Sequence, residues 1–172
     1  MDSIVIGFSR PKAFFEPFSW LIRLITWSKF SHAYIRYHNP YANRWIIFQA
    51  SGLKVNIVGQ ALFNSQQIIC QEFEIPVTTP TKLSTVQFAI DNIGKPYGLK
   101  QVAGFAWVLF MRVFRKKVKN PFYSNSSFFC SELAGDVWNE IVQPTDDIDP
   151  ATFSPKDMCL FLANKGFKAP IN

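Results

Sequence analysis

Cys130 and His32 lie in segments whose residue types could support nucleophilic chemistry. Cys130 lies at the predicted start of a helix, where free backbone N–H groups and the helix dipole favour a thiolate. Nearby Glu132 either opposes that thiolate or stabilises the helix start. His32 begins a predicted strand, and a neutral imidazole there could take the thiol proton. Taken alone, each residue is better explained as structural: a small buried thiol and a hydrogen-bonded ring.

Gln49 and Tyr97 are the polar residues that could complete such a site. Gln49 is the polar member of an apolar stretch, so its amide must find a partner, which is either the imidazole of His32 or a neighbouring loop. Tyr97 follows a sharp turn, and its hydroxyl could donate to an oxyanion or close a local network. The candidate base precedes the candidate nucleophile, the reverse of papain-like chains, but a triad is defined by geometry and not by chain order.

The scarcity of histidine and cysteine excludes other chemistries. The chain has 172 residues with only two histidines, His32 and His38, and three cysteines, Cys70, Cys130 and Cys159. They form no paired zinc-binding spacing, so the sequence predicts no metal and no cofactor. An odd number of unpaired cysteines argues against a disulfide framework and favours a reducing compartment.

Length and composition predict one domain over residues 1–172, since domains typically have about 100–150 residues. Hydrophobic residues make up 48% and charged residues 17%, which argues against a disordered chain or a coiled coil. The chain shows no secretory signal, and the apolar stretch 102–110 is shorter than the roughly 20 residues of a spanning helix. We therefore expect synthesis in the cytoplasm, with export by another route left open.

The elements that must position these residues change character along the chain. The first half has short apolar runs separated by turns, and the second half has longer runs at helical spacing. The predicted strands are 4–8, 31–37, 45–50, 53–58 and 67–75, and the predicted helices are 17–27, 81–93, 99–117, 130–142 and 155–165. We expect the strands to form an antiparallel meander, and the fold class is predicted as α+β, an antiparallel sheet packed with helices.

Four segments, in this order, resemble the pattern of the circularly permuted NlpC-type hydrolases. These are papain-like thiol enzymes related to the lecithin:retinol acyltransferase family. The segments are Ser-His-Ala-Tyr-Ile at 31–35, Phe-Gln-Ala-Ser-Gly at 48–52, Gly-Lys-Pro-Tyr at 94–97 and Phe-Cys-Ser-Glu-Leu at 129–133. The segment 153–158 also resembles the end of such domains, so the similarity covers about residues 3–165. It implies a papain-like fold.

The resemblance implies a role for each matched position. Cys130 would be the nucleophile, His32 the general base, and Tyr97 a residue that assists the oxyanion. Gln49 stands where the family usually has Glu, His or another polar residue. A neutral amide can orient an imidazole but stabilises its charged form less than a carboxylate does.

Acyl chemistry through a thioester follows from the same resemblance. The expected activity is hydrolysis of amide bonds by a peptidase or amidase, including one that cuts cell-wall peptides. Two alternatives stay open: a lipid acyl hydrolase or acyltransferase at a membrane surface, and a non-catalytic structural or binding module that keeps the fold.

The formal net charge of +6 allows an anionic partner. An apolar stretch, 104–111, precedes a basic cluster formed by Arg112, Arg115, Lys116, Lys117 and Lys119. This arrangement is typical of an interfacial lipid-binding element, and equally of a core helix whose basic end complements its dipole. The helix at 14–27 allows the same two interpretations. No nucleic-acid-binding motif accompanies the cluster, so the expected partners are a peptide, cell-wall or lipid acyl substrate and, through the cluster, an anionic membrane surface.

Overall fold

A five-stranded antiparallel sheet is built from the first half of the chain. The computed structural model of the protein describes residues 2–13, 17–52, 54–116, 118–122, 127–143 and 148–167. The strands are β1 (Asp2–Pro11), β2 (His32–Asn39), β3 (Arg44–Ser51), β4 (Lys54–Gly59) and β5 (Gln67–Val77). Across the described part of the chain they lie in the order β4-β3-β2-β1-β5.

The central position of β1 follows from its sequence. Ile4, Val5 and Ile6 are fully buried, as expected for a strand that is covered on both faces. β1 pairs with β2 along one edge and with β5 along the other, so its backbone N–H and C=O groups are satisfied on both sides. The predicted meander is therefore right for the first four strands and wrong for β5, which returns to the far edge of β1.

The helices lie between the strands and after them. They are α1 (Pro17–Thr26), α2 (Gln60–Gln66), α3 (Thr79–Asn92), α4 (Leu99–Val113), α5 (Cys130–Val137) and α6 (Pro155–Asn164). α5 continues as a π-helical segment, Trp138–Val142, and a 3₁₀ turn at Pro150–Thr152 precedes α6. The predicted α+β class is confirmed.

The helix ends show why the predicted bounds come close. The Thr78 side chain accepts a hydrogen bond from the Thr81 N–H and begins α3. Ser154 and Asp157 bond reciprocally at the start of α6. The short helix α2 was not predicted. Leu53, Lys117 and 14–16, which belong to predicted elements, lie outside the described residues.

The main core lies between the sheet and α5, and it positions the candidate nucleophile. Leu133 and Val137 of α5 pack with Phe48 of β3 and Ile35 of β2, and all four are almost completely buried. Burying such side chains contributes about 1.5–3 kcal/mol each. Because α5 is fixed along its length by this packing, its first residue, Cys130, is held against the beginning of β2.

Candidate active site

Cys130 is the first residue of α5, and it is 3% exposed. Its thiol donates to the backbone carbonyl of Ser31 over 3.8 Å. The segment that carries Tyr97 forms a short parallel bridge with Phe128, two positions before Cys130. That bridge explains how a residue from the loop before α4 reaches the start of α5.

Several donors face the Cys130 sulfur. They are the backbone N–H groups of Ala33, Ser131 and Cys130 itself, together with the Tyr97 hydroxyl. Each favours the thiolate, but burial has the larger effect and raises the pKa of Cys130. Burial, together with the nearby Cys130, also holds the pKa of Tyr97 well above its ordinary value, so the phenol keeps its proton and can donate it to sulfur. The helix start supplies the expected N–H groups, yet the resting group is a thiol.

Glu132 does not oppose the thiolate as its sequence position suggested. Its side chain is 1% exposed, and it accepts a 3.1 Å hydrogen bond from the Phe129 N–H, the residue that caps α5. Gln101 of α4 donates to its other oxygen over 3.4 Å. Burial raises the pKa of Glu132 to about 8, so it is mostly protonated at neutral pH and stabilises the helix start instead.

His32 is oriented by Gln49, which is one of the two partners that the sequence allowed for this amide. Nε2 of His32 lies 2.8 Å from Oε1 of Gln49. Burial lowers the pKa of His32 from 6.5 to about 4, and the bond to Gln49 opposes that shift only in part. The imidazole is therefore neutral at physiological pH, which is the state that can accept a proton.

Asn56 of β4, which sequence reasoning missed, determines which way the Gln49 amide points. Asn56 Nδ2 donates to the backbone carbonyls of Ser51 and Lys54, so its Oδ1 faces Gln49 and accepts from Nε2 over 3.2 Å. Gln49 must then present its oxygen to His32, whose Nε2 carries the hydrogen. Two backbone carbonyls thus select the tautomer in which Nδ1 of His32 holds the free electron pair.

The register of the sheet could have revealed Asn56 from sequence. Gln49 and Asn56 are direct cross-strand partners in the β3–β4 pair. The tight turn at Ser51-Gly52 fixes this register, with Gly52 at φ +68°. A polar residue opposite Gln49 was therefore a readable signal.

One cavity of about 510 Å³ is lined by three of the four predicted site residues, Cys130, His32 and Tyr97. Gln49 adjoins it through its bond to His32. Among the described hydrogen bonds, none joins His32 to Cys130, whose thiol is instead directed at Ser31. The fold thus brings all four residues together, with the Cys130 thiol directed at the Ser31 carbonyl rather than at His32.

Helices α1 and α4 form one wall of the cavity. Ser19 and Ile22 of α1 and Val102 of α4 line it. The Ser19 and Ser31 hydroxyls lie 2.6 Å apart in a buried hydrogen bond that ties α1 to the start of β2. A change in the position of α1 would therefore alter the cavity directly.

The remaining histidine and cysteines lie elsewhere. His38 packs edge-on against the Trp45 ring in the β2–β3 hairpin. Cys70 lies on β5, where its thiol contacts the Lys29 carbonyl, and Cys159 lies on α6. None of these three residues is among the described residues that line the cavity.

Comparison with known proteins gives a fold neighbour and no relative by sequence. No family model matches the chain, and no curated protein matches it. A crystal structure of the metalloprotein yiiX from Escherichia coli O157:H7, DUF1105, is similar, with a TM-score of 0.54 and 18% identity. The match covers 82% of this chain and 65% of that one, so the chain spans less than two thirds of its length. At this identity the likeness concerns the fold alone.

Two searches of the described residues bear on ligands and membranes. No group of three or more His, Cys, Asp and Glu side chains that could hold a metal ion occurs in the part of the chain that the structure describes. Within the same part, no helix has the length and apolar character needed to cross a bilayer.

Proposed function

We propose that this protein is a thiol hydrolase that cleaves amide bonds through a thioester on Cys130. The observation that carries the proposal is the pair of side chains on one cavity. Cys130 there has N–H and O–H donors around its sulfur, and His32 is fixed by Gln49 in the tautomer of a base. The similarity to papain-like NlpC-type enzymes in the four segments supports the same assignment.

The reaction starts with general-base catalysis rather than from a stored ion pair, because both groups are neutral at rest. The Cys130 thiol turns from Ser31, transfers its proton to Nδ1 of His32, and its sulfur attacks the substrate carbonyl carbon. The carbonyl oxygen gains the electron pair and is stabilised by donors such as the Tyr97 hydroxyl.

The collapse of this intermediate expels the amine, which takes the proton from His32. A water molecule then gives a proton to His32 and its oxygen attacks the thioester carbon. The thiolate leaves, recovers that proton, and the carboxylic acid is released. His32 therefore acts twice, and the Gln49 bond keeps Nδ1 as the nitrogen with the free electron pair in both steps.

A second candidate is an acyl hydrolase or acyltransferase that acts on lipids with the same residues. The observation that favours it is the cavity wall. α1 and α4 line the cavity on one side and carry exposed aromatic and aliphatic side chains on the other. A thioester forms from an ester by the same addition and elimination as from an amide, with an alcohol as the leaving group in place of the amine.

The test is turnover of fluorogenic peptide amides, cell-wall peptides and phospholipids by the wild type, C130A and C130S. We expect activity on one class of substrate, and an acyl adduct on Cys130 detected by intact-mass measurement. The matched control is C159A, which removes a partly buried thiol outside the cavity and should retain activity. Turnover that survives in C130A, or a folded wild type inert to every class and to thiol-directed probes, would contradict the proposal.

A further inference from the structure

Two neighbouring helices expose large apolar side chains on their outer sides. The exposed fractions are 51% for Trp20, 70% for Leu24 and 86% for Trp27 near α1, and 49% for Trp107, 53% for Phe110 and 59% for Phe114 near α4. We call these six residues the aromatic face. Contiguous exposed patches of this kind mark interaction sites far more often than single exposed residues do.

The two helices that carry the aromatic face pack together. Ile25 of α1 packs against a buried cluster that contains Val102 and Phe105 of α4. On the outer side of α4, Trp107 and Phe110 have ring centroids 6.0 Å apart, and Phe110 and Phe114 have centroids 5.2 Å apart. The exposed rings therefore form a continuous row along α4, beside α1.

Both helices end in a conformation that normally favours glycine. Ser28 N–H donates to the Arg23 carbonyl, and Trp27 occupies the left-handed position of that helix end with φ +51°. α4 ends in the same way, with Lys116 N–H donating to the Met111 carbonyl and Arg115 at φ +56°. Trp27 is 86% exposed on this strained backbone, so its ring contributes little to the core and is available for an external contact.

The charge around the aromatic face is entirely positive within the two helices. α1 and α4 contain no Asp or Glu. Arg23 lies over the Trp20 ring, 4.8 Å from its centre. Arg115, Lys116 and Lys119 line a hollow of about 700 Å³ beyond the end of α4, with Asp149 as the acidic side chain among its described lining residues. This pattern complements an anionic partner.

We propose that the aromatic face docks on the surface of an anionic lipid bilayer. Trp and Phe side chains enter the boundary between head groups and acyl chains, where indole rings are preferred. The cations at the end of α4 attract lipid phosphates, and the hollow that they line accommodates a head group. A bilayer fits better than a folded protein because, among the described salt bridges, none pairs Arg23, Arg115, Lys116 or Lys119 with an acidic side chain, so these cations do not define one complementary shape.

Docking does not depend on the thiol chemistry of the proposed function, and its test separates the two. The probe is sedimentation with vesicles of phosphatidylcholine alone or mixed with phosphatidylglycerol. We expect binding that requires the anionic lipid and weakens as salt is added. C130A should bind as the wild type does, so loss of catalysis and loss of docking are separate results.

The variants W27N/F110S and K116Q/K119Q remove the apolar and the basic parts of the docking surface. Asn suits the left-handed backbone at position 27, so W27N should fold. We expect the basic variant to bind anionic vesicles at least roughly tenfold more weakly, since each cation near such a surface contributes several-fold. The apolar variant should lose binding by a similar factor.

The matched controls are L83S on α3 and R44Q/K54Q in the sheet, which change equally exposed residues away from the aromatic face. Equal binding by wild type and W27N/F110S, or binding to neutral and anionic vesicles alike, would overturn the proposal. So would a concentration-dependent dimer in ultracentrifugation that W27N/F110S abolishes while no vesicle is bound, because the occupant would then be a second copy of the chain.

Discussion

Two hydrogen-bond networks lie side by side on one face of the sheet, and they differ in which polar groups they leave without a partner. His32, Tyr34 and Arg36 alternate along β2 and so point to the same side, with the His32 and Tyr34 rings 6.4 Å apart. The His32 network runs from His32 to Gln49 and Asn56. The Glu72 network joins Tyr34 to Glu72.

The Glu72 network is charged, and its members bond mainly to one another. Glu72 accepts from the Tyr34 hydroxyl over 2.6 Å and from Arg36 over 2.8 Å, while Arg36 also lies over the Trp45 ring. Apart from Nε of Arg36, its members are satisfied by one another. The His32 network is neutral, and it ends at the imidazole ring, which borders the cavity. The same strand thus contributes to a buried, charged network and to a neutral network that, under the proposed function, orients the base.

The largest expected effect is a difference in catalytic activity between variants of the two networks. H32A should lower turnover by about 10²–10⁴-fold because the base is lost, with little change in stability. Y34F, the control from the Glu72 network, should retain most of the activity. Both are measured as kcat/KM on the substrate identified for the wild type, with thermal unfolding as the folding check. A similar loss in both variants would remove the distinction.

A substitution in the Glu72 network should instead lower the free energy of unfolding. E72A leaves Arg36 buried without its partner, and breaking a buried pair in this way costs about 3–5 kcal/mol. Urea unfolding measures the change. The same substitution in a more exposed pair, D2A beside Lys82, should cost much less. An E72A variant as stable as the wild type would show that the Glu72 network does not contribute to folding stability.

The pH dependence sharpens the comparison further. His32 must be neutral to act, so activity should fall only as pH drops through about 4. Q49E places a carboxylate beside the ring, which should raise the pKa of His32 by about 1–3 units and move the acid limb of kcat/KM upward. The Y34F profile should keep the wild-type limb. An unmoved limb in Q49E would mean that His32 does not govern it.

The same shift in pKa has a consequence for stability. Since His32 titrates at 6.5 in the unfolded chain and at about 4 in the fold, the unfolded chain binds more protons between these values. The free energy of unfolding should therefore decrease as pH falls from 6.5 toward 4. Glu132 acts with the opposite sign: its pKa is raised from 4.5 to about 8, so the folded protein binds more protons between these values and the free energy of unfolding decreases as pH rises from 4.5 to about 8.

The smallest expected effect concerns Asn56. N56L removes the group that orients Gln49, so the amide can turn and present its NH₂ to His32 in the wrong tautomer. One neutral hydrogen bond contributes about 1 kcal/mol, so we expect kcat to fall by about fivefold while KM stays nearly constant. N64L, on the exposed surface of α2, is the control. A change in KM alone would assign Asn56 to substrate binding instead.

Local features of the fold were well predicted from sequence, and long-range ones were not. The start of α5 at Cys130 follows from its flanking pattern, and the structure places it there. α2 was missed because Phe63 is its only buried residue among seven, which gives no helical period. The position of β5 depends on the need of β1 for a second partner, which no local pattern expresses.

The same limit applies to the site. Residue types and order pointed to Cys130, His32, Gln49 and Tyr97, and the fold brings them together. The raised pKa of Cys130 was not foreseen, because it results from burial by distant segments. For α4 the sequence allowed two interpretations, since its apolar residues cover most of its circumference, and only packing decides that Phe105 is buried and Phe110 is exposed.

The strand order also sets a sequence of events during synthesis. The hydrogen bonds of His32, Gln49 and Asn56 lie within β2, β3 and β4, which are joined by short turns and can form early. β1 is sheltered on its second edge only when β5 has been made, and α5 arrives much later. Because β2, β3 and β4 leave the ribosome before α5, the hydrogen bonds of His32 can form before Cys130 has been synthesised. A nascent chain can therefore hold His32 and Gln49 in order with no Cys130 thiol beside them.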